Sequence, residues 1–510
     1  MITLINHQGL KVLEGIQLQS PSPSIGLAYI GAFLRKHGYD YTAIDACGEA
    51  LESIRPYSGG DGIYIQGLTN EEVVARVPGD SRIIGFTCLF SHCWPLVHGL
   101  ASVLRKKFPD ALFVLGGEHG TALPDPVLRT GLFDLVVLGE GEETFLELVQ
   151  RVQRNEDWRD IDGISYLDKG ELRRTPARKR ITDIDSLPYP DWDRWSLREY
   201  IAMGQVAGIN LGRQIPILGS RGCPYDCKFC SSCGMWTRRH IMRDPIRLAD
   251  EMQHMKERYD VSGFIFMDLT FVVNRKKTLA FANELARRRL GVTYQLPAGT
   301  RCEAFDDELA AALERSGLRN FAFAPESGSA EILTAIRKQV EIEKFLVATR
   351  VALRTSMTIG CFMVIGFPED SPRTMRQTLS LLRTLALMGV HDVTISKFTP
   401  YPGSDYFDEL LQAGRISSGT DDLGKVINFY SSKNNSFCRA LTSKSLHRWM
   451  LWMYVNFYLI SFLRRPWRVI GNFIALLTQG VEKTRYMRLV SEVLFRRRKW
   501  KRLAESPPKA

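Results

Sequence analysis

The sequence lacks any uninterrupted run of about 18 apolar residues, the least a spanning helix needs. The nearest approach, 449–463, is too short and is broken by Asn456. Met1–Asn6 runs straight into an alternating apolar segment with no basic n-region, so no secretory signal is expected. Cysteine is sparse, at ten in 510 residues, which excludes a disulfide scaffold. With no export signal, the expectation is a cytoplasmic protein with free thiols. Internal repeats and low-complexity tracts are also missing, which leaves out repeat arrays. What remains is an ordinary soluble composition, 45% hydrophobic and 24% charged, with a net charge of +11. A basic excess of that size suits nucleic acid, an anionic membrane surface or a phosphate-bearing ligand about equally.

The order of apolar and amphipathic segments predicts an α/β fold in two parts. In 1–153, apolar runs at 2–5, 41–44, 83–87, 112–115 and 135–138 alternate with helical patterns at 25–37, 94–108 and 142–153. Strands separated by helices imply a doubly wound parallel sheet, with ligands at the carboxyl ends of its strands. Residues 154–205 turn polar and read as a linker with a small sheet. A second series over 206–405 places strands at 215–218, 263–268, 294–298, 320–324, 358–365 and 392–398. Six βα units predict a partial (β/α) barrel whose chemistry sits at the strand C-termini. Residues 406–510 read as a helical C-terminal domain, with helices at 448–463, 467–477 and 486–500. Six Lys/Arg crowd 496–502.

Chemistry is concentrated in Arg221-Gly222-Cys223-Pro224-Tyr225-Asp226-Cys227-Lys228-Phe229-Cys230, directly after the first barrel strand. Three thiolates on one loop can converge on one metal centre. A four-iron cluster needs four ligands, so three cysteines leave one iron open. A zinc knuckle completed by Cys233 or His240 is the competing reading. A knuckle says nothing about the chain downstream. There, Asp268, Arg301, Glu326-Ser327-Gly328-Ser329, Gly366-Phe367-Pro368-Glu369 and Pro400-Tyr401-Pro402-Gly403 end successive barrel strands.

The cysteine spacing and these strand ends resemble the radical S-adenosylmethionine (SAM) superfamily. The resemblance implies a 4Fe-4S cluster on Cys223, Cys227 and Cys230, and SAM seated by Asp268, Arg301, Glu326 and Gly366. The N-terminal part resembles the cobalamin-binding domain of the B12-dependent radical SAM proteins. It does so through Pro23-Ser24-Ile25-Gly26-Leu27, Gly85-Phe86-Thr87, Gly116-Gly117-Glu118-His119 and Gly139-Glu140-Gly141-Glu142. On that resemblance Thr87, Gly116 and Gly117 line the nucleotide tail of cobalamin, with no room for a Cβ at the glycines. The loop after the first strand lacks Asp-x-His-x-x-Gly. His7 is the surviving candidate for a cobalt ligand, and His92, His119 and Cys93 lie near other strand ends.

The resemblance implies a C-methyltransferase that acts on an unactivated carbon and consumes two SAM per turnover. An anaerobic oxidative cyclase or rearrangement enzyme with the same cofactors is the alternative. An external donor, flavodoxin or ferredoxin, is implied; no residue stands out as a proton donor or acceptor. A nucleic-acid role is not expected: Cys47, Cys88 and Cys93 do not form a second cluster triad, and no RNA-binding appendage is visible. The aromatic and basic C-terminal segment has two readings, a helical cap with a solvated tail or a contact with a membrane surface.

Overall fold

The computed structural model describes residues 1–12, 21–59, 62–204, 208–417, 436–479, 482–493, 500 and 503. The apolar runs of the N-terminal part become a seven-stranded sheet. From one edge the strands are Thr42–Asp45, Ile2–Asn6, Ile83–Thr87, Leu112–Gly116, Leu135–Val137, Ile164–Asp168 and Glu171–Arg174. The first five are parallel and the last two form an antiparallel hairpin. The first strand in sequence lies between the second and third, so chain direction across the sheet reverses beside Asn6 and Thr87. That switch point is where such sheets bind ligands. Helices Ile25–Lys36, Trp94–Lys107 and Glu142–Gln153 bury apolar faces against the sheet. Burial on both faces is why the strands read as continuous apolar runs.

The stretch expected to be a linker is more tightly held than that. Its hairpin extends the N-terminal sheet, covering the edge that Leu135–Val137 would otherwise leave open. Farther on, Asp191 accepts hydrogen bonds from Arg35 at 3.0 Å and Tyr41 at 3.1 Å, and Trp192 and Trp195 are buried. A small antiparallel sheet of Gly9–Val12, Ile54–Pro56 and Ile63–Gln66 was not foreseen. Its strands are short, and their alternation is masked by Gly and Pro.

Six parallel strands, in sequential order, form the partial barrel: Gln214–Ile217, Gly263–Phe266, Thr293–Thr300, Leu318–Glu326, Thr358–Ile365 and Asp392–Lys397. The helices between them are delimited by ordinary signals. Pro372–Met388 opens on a capping box of Ser371 and Thr374 with Pro in its first turn, and stops at Gly389, where φ is +109°. The gap between the first and sixth strands is closed by the C-terminal segment. Arg485 donates its backbone N–H to Asp392 Oδ2 at 2.9 Å, and its Nη2 reaches Pro297 O at 2.8 Å, where a register shift breaks the third strand's ladder. Arg488 bonds Gly208 O just before the first strand. The C-terminal helices are Ser443–Arg464, Pro466–Gln479 and Arg485–Ser491. Apart from Trp500, the basic run 496–502 lies outside the described residues.

Candidate active site

The cysteine loop starts where the first barrel strand ends. Gly222 has φ of +84°, and a Cβ there would stand 2.3 Å from Arg239 O, so only glycine fits. Cys230 N–H donates to Cys227 O at 3.0 Å, closing a tight turn over the last two cysteines. Cys223, Cys227 and Cys230 are free and half-buried. Burial raises the Cys223 thiol and pushes that of Cys227 up to about 11. A metal centre bound there would draw these thiols into the thiolate form. Among the described residues, no three thiol, imidazole or carboxylate groups close on a single ion. A knuckle grips one zinc with four ligands, whereas a cluster takes one thiolate per iron. The two candidates for a fourth zinc ligand are engaged elsewhere. Cys233 Sγ lies 3.2 Å from Tyr225 O, and His240 Nε2 lies 3.0 Å from Thr270 O. The loop thus fits a cluster and not a knuckle.

Around the loop stand the strand-end residues. Asp268 is buried; its carboxylate accepts from Gly219 N–H at 3.0 Å and Ser220 Oγ at 2.5 Å, fixing the root of the cysteine loop. Burial pushes its carboxyl up to about 7, against the pull of those hydrogen bonds. Glu326 ends the fourth strand with φ of +70°, a strained setting for a non-glycine residue. Its carboxylate meets Lys338 Nζ at 2.8 Å, with both side chains under a tenth exposed. Arg301 stacks 3.8 Å over the Tyr225 ring and donates to Lys338 O at 2.7 Å and Gln339 O at 3.1 Å. The structure therefore brings Arg301, Glu326 and the cysteine loop together. It adds Lys338, whose ammonium lies 5.9 Å from the centroid of the Phe229 ring between the last two cysteines. Nothing in the sequence marked Lys338, since it sits in a turn among basic residues. Gly366 has φ of +88°, and a Cβ there would lie 2.7 Å from Leu446 of the C-terminal helix. Its requirement is met within the protein.

At the N-terminal sheet's carboxyl edge, Thr87 is half-buried and pairs in register with Gly116. A Cβ on Gly116 meets nothing closer than Phe86 O at 3.9 Å, so the protein leaves that space open. Gly117 differs. Its φ is +99° and a Cβ would stand 2.6 Å from Cys88 O. It is glycine because two backbones meet, not because a cofactor tail passes. The open edge beside Gly116 and Thr87, at the switch point, fits a bulky nucleotide-bearing cofactor such as cobalamin. His7 bonds Gln8 O through Nδ1, and burial lowers both His7 and neighbouring His92, the latter to about 4. His119 is a core residue: its Nδ1 pairs with Ser91 Oγ at 3.0 Å and its ring lies 4.7 Å from that of Trp94.

The two parts meet at the cysteines. Arg221 donates to Glu140 Oε1 at 3.1 Å and Glu142 Oε1 at 2.5 Å. Arg180 bonds Glu140 at 2.7 Å, and Ser231 bonds Glu118. The Gly139-Glu140-Gly141-Glu142 turn thus clamps the cysteine loop to the N-terminal sheet, a role the motif alone did not disclose.

Comparison with known proteins agrees with this arrangement. Residues 15–149 match the B12 binding domain and residues 217–382 the radical SAM superfamily. An uncharacterized methyltransferase of Pyrococcus horikoshii is 27% identical over 388 residues, 75% of this chain and 77% of that protein. The anaerobic magnesium-protoporphyrin IX monomethyl ester cyclase of Cereibacter sphaeroides is 27% identical over 92% of this chain and 74% of its own. Among solved structures, the radical SAM methyltransferase TsrM from Kitasatospora setae superposes with a TM-score of 0.63 at 16% identity, covering 82% of this chain and 77% of TsrM. With a B12-binding sheet and a radical SAM barrel joined through the cysteine loop, the chain belongs to the radical SAM enzymes that carry an N-terminal cobalamin-binding domain.

Proposed function

We propose that this enzyme is a C-methyltransferase acting on an unactivated carbon of a small or hydrophobic substrate. One observation carries the reading: the cysteine loop is docked on the carboxyl edge of the cobalamin-type sheet, through Arg221 to Glu140 and Glu142 and through Ser231 to Glu118. When bound, a cluster with SAM supplies hydrogen abstraction, and cobalamin supplies methyl transfer. The chain's task is to hold both beside one substrate and keep water out. Cys223, Cys227 and Cys230 would hold the cluster. Asp268, Arg301, Glu326 and Gly366 would seat SAM, with the Glu326–Lys338 pair fixing the carboxylate's direction. Thr87 and Gly116 would line cobalamin's tail, with Gly117 shaping the turn beside them. An external one-electron donor, flavodoxin or ferredoxin, and a peripheral membrane contact of the C-terminal segment belong to the same proposal.

An oxidative cyclase is the second reading, favoured by the match to the Cereibacter cyclase over 92% of this chain. Comparing metabolites and lipids of a deletion strain with its parent tests the two. Loss of a compound, with gain of one lighter by a methylene, supports methyl transfer. Accumulation of a compound richer in hydrogen but equal in carbon overturns it.

A further inference from the structure

A helix on a globular surface is apolar along one stripe; one that is apolar all round belongs in a core or in lipid. Helix Ser443–Arg464 has neither surrounding in full. Its inner face, with Leu446, Met453 and Phe457, is buried beside helix Pro372–Met388. Its outer face presents Trp452, Val455, Leu459 and Leu463 at helical spacing, with Trp452 52% and Leu463 68% exposed. Helix Pro466–Gln479 continues the stripe. Ala475 and Leu476 are buried, while Trp467, Ile470, Ile474 and Leu477 face out, Trp467 at 69% and Leu477 at 67%. Isolated exposed apolar side chains are ordinary, but eight of them on two adjoining helices mark an interaction surface.

The joint between the helices is pinned, so the patch is a fixed feature. Arg465 donates to Leu387 O at 3.2 Å and Met388 O at 3.0 Å, capping the end of helix Pro372–Met388, and Arg468 donates to Gly389 O at 2.7 Å. Charge selects the occupant. Between Asp422 and Glu482 the chain has no Asp or Glu but eight Lys/Arg, and Lys444, Arg448 and Arg464 are exposed on the first helix. Six more Lys/Arg follow in 496–502. A second copy of this chain would bring the exposed Lys444, Arg448 and Arg464 toward like charges across a two-fold axis, and neither helix carries a carboxylate to offset them. An anionic lipid surface offers an apolar layer and the opposite charge together. Exposed tryptophans suit the boundary between headgroups and acyl chains. Among the described residues no helix is long and apolar enough to cross a membrane.

We infer that the outer face of 443–479 lies in the interface of an anionic bilayer, with both helices along its plane and the barrel above it. The inference gives the membrane contact proposed above its residues and its lipid class, and it is independent of whether the reaction is methyl transfer. The full chain should float with vesicles of phosphatidylcholine containing about a third phosphatidylglycerol, and roughly tenfold less with phosphatidylcholine alone. Trp452→Ser combined with Trp467→Ser should abolish flotation while leaving the cluster absorbance and circular dichroism of the protein intact, since both side chains point away from the fold. Raised salt should weaken binding of the unaltered chain. Flotation of neither vesicle type overturns the inference. So does a dimer, seen by sedimentation, that the same double substitution dissociates.

Discussion

Arg221→Met is the perturbation that weighs most directly on how the two parts are joined. Arg221, Glu140 and Glu142 have side chains only 5% to 6% exposed. The guanidinium lies 5.3 Å from the Tyr29 ring centroid and 5.9 Å from that of Trp236. Removing the cation strands two carboxylates away from water, although Arg180 still reaches Glu140. Breaking one partner out of a buried pair costs about 3–5 kcal/mol, whereas an exposed pair is worth at most about 1 kcal/mol. For a unit of roughly 200 residues that corresponds to a fall of about 10 °C in the unfolding midpoint. Because Arg221 lies two residues before Cys223, iron retention should fall with it. Adding Glu140→Gln and Glu142→Gln to Arg221→Met should recover part of the loss, since no charge is then left stranded. Circular-dichroism melts on anaerobically prepared protein, with iron per chain measured alongside, read both effects. A midpoint within about 1 °C of the parent, the behaviour of an exposed pair, would refute the buried clamp.

Replacing Cys223, Cys227 or Cys230 with Ala should each remove the iron and its brown colour, and Cys233→Ala should not, by iron analysis. Gly117→Ala should destabilise the N-terminal domain by about 1–3 kcal/mol, because its Cβ meets Cys88 O in a left-handed backbone. Gly116→Ala should leave stability unchanged and lower corrinoid binding, read from the visible spectrum of the reconstituted protein. Lys338→Met should cost about 3–5 kcal/mol by stranding Glu326, and Lys338→Met with Glu326→Gln should cost less. Asp268 carries a pH signature: its folded value of about 7 lies above the ordinary 3.8, so the folded chain holds the proton more tightly than the unfolded one. Stability from that group is present at low pH and lost as pH rises through about 7. Asp268→Asn should flatten that loss, as melts from pH 4 to pH 8 would show.

The barrel was legible nearly strand by strand, because each buried strand is an apolar run bounded by turn residues and followed by an amphipathic helix. The cysteine loop was legible because its chemistry needs three thiols at fixed spacing. What stayed hidden depends on contacts between distant residues. The Glu171–Arg174 strand reads as polar because it sits at the sheet edge. Lys338 acts through a turn 12 residues beyond Glu326. Glu140 and Glu142 look like turn residues until Arg221 is placed against them. Gly117 shows the converse, a motif residue whose reason lies in the approach of Cys88 rather than in a ligand.

The central claim, methyl transfer, is tested most directly by turnover with methyl-labelled SAM and a reductant, counting nucleosides and following the label. Methyl transfer uses SAM once for hydrogen abstraction and once to renew the methyl group. Equal amounts of 5′-deoxyadenosine and S-adenosylhomocysteine are therefore expected, with the label on a substrate carbon. Sustained 5′-deoxyadenosine formation without S-adenosylhomocysteine, and a product that has lost hydrogens and gained no label, would contradict it.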